Sequence, residues 1–279
     1  MKRVFVSAYL TALPAIAGIG IWQMLGPEVG RWSWLGPVIS ALMPLTWLGV
    51  TILLRLARTP EQPLAFHLAG PVGVAAAVGL APVGSPEAIV PIALTAGLWL
   101  THLVYLFSYS RFGRTRSKRI EVDQPMPEVR FTDVDGNAVS TADLAGAPAV
   151  LLFFRGNWCP LCMAQIREVA KSYRALADRG AKVVLISPQS EKHTRRLAAK
   201  YDVPFEYWID RDLKGAEALE IMAPNGVPLG MELLGYDADT VLPTVVVIDA
   251  DGIVRMADQT DNYRVRPEPE TFLAALDGA

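Results

Sequence analysis

The chain has 279 residues, enough for about two domains, and its net charge of −2 offers no excess of positive charge to a nucleic acid. The composition, 52% hydrophobic and 19% charged, hides a division. Residues 4–110 hold few charges and long apolar runs, whereas residues 111–279 carry most of the acids and bases, as when a membrane part is joined to a water-facing part.

Four apolar segments can be drawn in the first part, over residues 4–25, 35–56, 64–82 and 88–109. Each is near the roughly 20 residues that a helix needs to cross about 30 Å of hydrocarbon. The third is the weakest, rich in Ala and Gly with Pro71 inside it. Lys2-Arg3, an apolar run and Ala15-Ile16-Ala17 also fit a cleavable signal peptide, but the run continues through Ile19, Ile21 and Trp22, which favours an uncleaved helix. Four crossings put nine basic residues on one side (Lys2, Arg3, Arg55, Arg58, Arg111, Arg114, Arg116, Lys118, Arg119) and only Arg31 on the other. Basic loops stay in the cytoplasm, so the expectation is a multi-pass protein of the inner (cytoplasmic) membrane with both ends inside. His67 and His102 lie within or beside these spans. They are candidates for a haem or quinone site, with helix packing as the blander role.

Residues 111–130 read as a basic, proline-containing linker (Pro125, Pro127). A hairpin turning at Asp135-Gly136 is expected over 131–139, then a continuous apolar strand over 149–154. A helix over 163–179 places Ile166, Val169, Ala170 and Tyr173 on one face. Next come a strand over 182–187, a helix over 190–201 capped by Ser190, a strand over 205–209 and a helix over 213–221. A hairpin over 245–256, turning at Asp251-Gly252, and a helix over 267–276 close the chain. The alternation predicts an α/β domain over 131–279, a central sheet flanked by helices, preceded by an all-α four-helix transmembrane domain over 1–110.

Between the 149–154 strand and the helix after it stand both cysteines of the chain, Cys159-Pro160-Leu161-Cys162. A cysteine at a helix start meets free N–H groups and the positive end of the helix dipole, which stabilise the nucleophilic thiolate. Cys162 lies one turn further along, within reach of a small disulfide to Cys159. C-x-x-C beside a βαβ pattern reads as a thioredoxin-like redox motif. A structural bridge and half of a zinc site are the alternatives, the latter with only His67, His102 and His193 to complete it.

From about residue 123 onward the chain resembles the redoxins, the AhpC/TSA (alkyl hydroperoxide reductase/thiol-specific antioxidant) branch of the thioredoxin fold. The matching pieces run in family order: Phe131…Asp135-Gly136, Leu152-Phe153-Phe154-Arg155-Gly156-Asn157-Trp158-Cys159-Pro160-Leu161-Cys162, Ile186-Ser187-Pro188-Gln189-Ser190, Asp210, and Leu242-Pro243-Thr244-Val245-Val246-Val247-Ile248-Asp249…Gly252. The late Tyr263-Arg264-Val265-Arg266-Pro267 resembles the ending of peroxiredoxin-like members with an R-G-x-W-C-P-x-C site. The resemblance implies that Cys159 attacks and Cys162 resolves. It also implies a cis bond before Pro243 that brings the Leu242 backbone beside Cys159 to bind an extended substrate, with Trp158 as a wall, and Pro160 and Arg155 in support. Two family positions differ, Gly156 standing for the usual Thr or Ser and Leu152 for the usual Pro, and the later activating arginine is missing before Val245. Arg155, or Arg264 and Arg266 if the C-terminus folds back, could supply that charge. The departures weigh against efficient peroxidase activity and leave dithiol chemistry intact.

The function expected is a membrane-anchored thiol-disulfide oxidoreductase of the redoxin type. Its alternative is a peroxiredoxin-like, thiol-dependent peroxidase with Cys159 as the peroxidatic cysteine. Readings of another class are a redox-inactive membrane adaptor and a metal-delivery module using Cys159, Cys162 and a histidine such as His193. The expected partners are a disulfide-bearing protein or a peroxide, an external thiol reductant such as a thioredoxin or glutathione system, and the lipid bilayer. No nucleic acid and no bound cofactor is called for.

Overall fold

The computed structural model describes residues 1–82 and 84–278, so the last residue of the expected 131–279 domain lies outside the described residues. The chain divides into two compact units, one of residues 1–54 and 59–111, the other of residues 55–58 and 112–279.

The first unit holds α1 (Lys2–Leu25), α2 (Leu35–Leu53), α3 (Leu64–Gly79) and α4 (Ile89–Val104), the last continued by a π-turn over Tyr105–Tyr109. Three stretches, Lys2–Leu25, Arg31–Leu53 and Pro86–Tyr109, are long and apolar enough to cross a membrane, while Leu64–Gly79 is shorter. The third apolar segment therefore gives a helix of 16 residues that ends before the expected 82. Helices α2 and α3 approach through glycine: a Cβ on Gly36 would lie 2.5 Å from the Gly73 carbonyl oxygen, and one on Gly73 would lie 2.8 Å from that of Gly36. Small residues that let backbones meet are the usual currency of helix packing in lipid. His102, fully buried, draws three helices together. Its Nε2–H donates to the Ser40 carbonyl at 2.9 Å, leaving Nδ1 to accept from the Tyr9 hydroxyl at 2.9 Å.

The second unit is built on β1 (Arg130–Asp133), β2 (Ala138–Ser140), β3 (Ala149–Phe153), α5 (Pro160–Lys171), α6 (Tyr173–Ala177), β4 (Lys182–Ser187), α7 (Glu191–Ala198), β5 (Glu206–Ile209), α8 (Lys214–Ala218), β6 (Met222–Ala223), β7 (Thr240–Val241), β8 (Thr244–Ile248), β9 (Val254–Asp258) and α9 (Pro269–Asp277). Seven strands form one mixed sheet in the order β2-β1-β5-β4-β3-β8-β9, and β6 and β7 form a small second sheet. It is a thioredoxin-like α/β domain, as the βα alternation predicts. Strand β3 lies inside the sheet, parallel to β4 and antiparallel to β8, with every residue buried, which is why its sequence is apolar without alternation. Side chains of a strand alternate between faces. Leu151 and Phe153 join the core on one face, whereas Val150, Leu152 and Phe154 join Cys159, Cys162 and Ile166 on the other.

The structure departs from the sequence reading in four places. The helix expected over 163–179 begins at Pro160 and breaks at Ser172, whose backbone (φ −90°, ψ 4°) leaves the helical region. The small sheet of β6 and β7 was not expected, because two-residue strands carry no periodicity. Residues 112–130 are not a free linker: Ile120 is fully buried, and the backbone N–H groups of Asp123 and Met126 donate to Val254 and Gly252. No cis peptide occurs among the described residues, so Leu242–Pro243 is trans, the isomer that an X–Pro bond favours by about 0.5–1 kcal/mol.

The glycine contact of the helical unit has a direct test. Gly73→Val puts a branched side chain against the Gly36 backbone, and overpacking of this kind costs about 1–3 kcal/mol. A lower melting temperature in detergent is expected, with Gly79→Val, whose Cβ meets nothing within 4 Å, nearly silent.

Candidate active site

Cys159 is the N-cap of α5 and Pro160 its first residue, where a missing N–H costs nothing. The two sulfurs lie 2.8 Å apart in hydrogen-bond contact. Cys159 is 3% exposed and Cys162 fully buried, so the resolving candidate is the deeper sulfur, as expected, but Cys159 is not at the surface. Both thiols are free.

A third group decides the electrostatics. Arg266, from the segment before α9, points a guanidinium nitrogen at Cys162 Sγ (3.5 Å) and Cys159 Sγ (4.0 Å). It is 6% exposed and is held by the Gln165 side-chain oxygen at 2.8 Å and the Tyr263 carbonyl at 3.1 Å. Of the arginines considered from sequence, Arg266 brings its charge to the sulfurs because the C-terminus folds back. The Arg155 side chain instead donates to the Gly226 carbonyl and lies 4.6 Å from the Trp158 ring centre.

Burial works against charge on either sulfur. At Cys162 it is outweighed by the hydrogen bond from Cys159, the Arg266 charge, the Arg155 backbone N–H and the Arg155 charge, and the thiol is lowered to about 5. At Cys159 burial, the shared hydrogen bond and the neighbouring charge raise the thiol well above its usual range. Two negative sulfurs at 2.8 Å cannot coexist cheaply, so the pair holds one proton and one charge. The Arg266 guanidinium stands beside both sulfurs, slightly nearer the inner one (3.5 Å against 4.0 Å).

The remaining site residues fall into two groups. Trp158, half-buried, walls the loop; Gly156 beneath it has φ +133°, and a Cβ there would lie 3.0 Å from the Trp158 ring. That conformation favours glycine and accounts for the absence of Thr or Ser. Pro243 lines a small cleft with Gln165, Thr244 and Arg266, but the backbone beside it is occupied. Leu242 N–H donates to Ile221 at 2.7 Å, the Leu242 carbonyl accepts from the Thr244 hydroxyl at 2.9 Å, and the Pro243 carbonyl accepts from Arg114 at 3.2 Å. The Leu242 backbone, expected to meet an extended substrate, thus carries partners within the chain. Sequence reasoning missed Gln165, whose signal was a polar residue on the buried face of an amphipathic helix, and Arg114, taken there only as loop charge. His193 stacks on Tyr236 and contacts the Leu234 carbonyl, and among the described residues no group of three metal-ligating side chains occurs.

The AhpC/TSA family description matches residues 122–257, a span that includes β1 to β8 and both cysteines. Peroxiredoxin Q of Sedum lineare is 30% identical over 144 residues, covering 51% of this chain and 69% of that protein. The chain belongs to the AhpC/TSA family. Peroxiredoxin Bcp of Bacillus subtilis is 27% identical over 135 residues (48% of this chain, 81% of that protein), and the thioredoxin-like protein YneN of the same organism 26% over 166 residues (57% and 85%). The crystal structure of peroxidoxin BcpB from Mycobacterium tuberculosis aligns with a TM-score of 0.47 at 16% identity, covering 57% of this chain and 97% of that one. Family membership makes the redoxin domain a thiol-based oxidoreductase.

One charge shared by two sulfurs predicts a titration. Reduced protein should show one thiolate by absorbance at 240 nm from neutral pH down to about 5, where acid protonates it, and no second thiolate until well above pH 9. Arg266→Ala should move the first midpoint upward by at least about one unit, a tenfold loss of thiolate at pH 6. An unchanged midpoint would remove Arg266 from the site's electrostatics.

Proposed function

We propose that this protein is a membrane-anchored thiol-disulfide oxidoreductase that cycles Cys159 and Cys162 between dithiol and disulfide. The observation that carries the reading is the buried pair at 2.8 Å with Arg266 beside it: a thiolate is ready, and its partner is already in place to form the bond. With one charge shared by the pair, the thiolate that attacks is the one on Cys159, the less buried of the two residues. Cys159 attacks one sulfur of a substrate disulfide, forming a mixed disulfide and releasing the other sulfur as thiolate. Cys162 then attacks Cys159, which closes the internal disulfide and releases the reduced substrate. An external dithiol returns the pair to its starting state. Arg266 stabilises the charge at each stage, while Trp158, Pro160 and Arg155 shape the loop.

A second reading has its own support. Neither cysteine is more than 3% exposed, which admits a small molecule more easily than a protein disulfide, and relatives at 27–30% identity are named peroxiredoxins. In that version Cys159 thiolate attacks a peroxide oxygen, giving sulfenic acid and an alcohol or water. Cys162 condenses with it, losing water and forming the same disulfide.

The mutants separate the steps. Cys159→Ser should abolish turnover of both substrate kinds, whereas Cys162→Ser should react once and trap the substrate as a mixed disulfide on Cys159. Full turnover by Cys162→Ser with peroxide and external thiol would replace the dithiol cycle with a one-cysteine peroxidase. Stopped-flow rates for peroxide and for a protein disulfide choose between the substrates.

The anchor reading rests on the apolar helices and the basic loops. We place all four helices across the bilayer with both ends in the cytoplasm. Helix α3, 16 residues or about 24 Å, is short of the hydrocarbon thickness and would be met by local thinning. Reporter enzymes fused after Arg119 and at the C-terminus should both be active only in the cytoplasm. Activity of either on the far side overturns this orientation.

A further inference from the structure

Residues 55–58 belong to the same compact unit as the redoxin domain, although α2 precedes them and α3 follows. Arg55 enters the segment with φ +54°, a left-handed conformation uncommon for a non-glycine residue, and Ala57 is 1% exposed. Such a segment is built in.

Arg58 is its working side chain. Its Nε donates to the Arg266 carbonyl at 3.2 Å, and Nη2 donates to the Pro267 carbonyl at 3.3 Å. The same guanidinium pairs with Glu168 at 2.5 Å and Glu268 at 3.2 Å. Glu168 lies on α5, the helix that carries Cys162; Arg266, Pro267 and Glu268 form the segment leading into α9. One planar group thus fastens the element bearing the thiols to the element bearing their counter-charge, using the forked geometry that a lysine lacks.

We propose that Arg58 is a positioning residue for the dithiol: it holds the backbone of Arg266 against α5, so that the buried guanidinium stays within reach of both sulfurs. The inference rests on the dithiol reading of the site. The charges facing the pair are Arg266 and Arg155, and Asp258 acts on Arg266. Arg58 acts on the pair through the Arg266 main chain. Coulomb attraction falls with distance, so loosening this segment weakens the thiolate without removing any group from the site.

The test is the thiolate titration of the full-length reduced protein in detergent, followed by absorbance at 240 nm and by iodoacetamide rate against pH. Arg58→Ala should raise the first midpoint by about one unit, a tenfold loss of thiolate below it, and Arg58→Lys should recover only part. In an Arg266→Ala background, Arg58→Ala should add nothing, because the group it positions is gone. Glu168→Gln is the second probe. It removes a negative charge, which acting through space would lower the midpoint, so a rise reports lost position, and it serves if Arg58→Ala does not fold. Coincident midpoints for Arg58→Ala and wild type overturn the proposal. So does a shift that persists without Arg266, or a Glu168→Gln midpoint that falls or stays. The titration needs no substrate. Absence of turnover by the wild type would therefore sink the proposed function and leave this assignment standing.

Discussion

Two buried sulfurs 2.8 Å apart and one buried guanidinium beside them are what this domain is arranged around. Taking a thiolate out of water is unfavourable, and an unpaired buried arginine equally so. Each makes the other tolerable, and the second thiol completes the arrangement by donating the hydrogen bond that a lone thiolate would take from water. The rest of the unit serves that triangle. Strand β3 delivers the loop, α5 presents the sulfurs on the Leu152 and Phe154 side of the sheet, and the chain returns after β9 to bring in Arg266.

The site also shows how a redoxin can depart from its relatives at individual positions and remain consistent. Gly156 cannot orient a substrate by hydroxyl as Thr or Ser would, but its backbone conformation seats Trp158 close over the loop. The arginine absent before Val245 is replaced by one that follows β9. With Leu242 and Pro243 already bound to Ile221, Thr244 and Arg114, the loop after β7 serves as a braced wall.

Much of this was legible in the residues. A continuous apolar run, a C-x-x-C and an amphipathic stretch determine strand, loop and helix locally, because each depends on neighbours within about a turn, while the break at Ser172 has no such local signal. The counter-charge was legible only as a choice among three arginines, since Arg266 reaches Cys162 across 104 positions and no local pattern reports where a chain end returns. Gln165 and Arg58 were hidden for the same reason, each a polar residue whose partner is distant in sequence. Helix-start logic weighs only the dipole, whereas a buried guanidinium that arrives from the far end of the chain also bears on both sulfurs.

The imidazole within the helical unit carries a consequence for assembly. His102 arrives on α4, after α1 and α2 have been synthesised, and both ring nitrogens find their partners on those two earlier helices. The ring is fully buried, so each of those two bonds replaces one that water would otherwise make. In the finished bundle the one ring therefore ties α4 to both earlier helices at once. Packing α4 against both of them satisfies the two ring nitrogens together, so a bundle that lost either neighbour would leave one nitrogen without that partner.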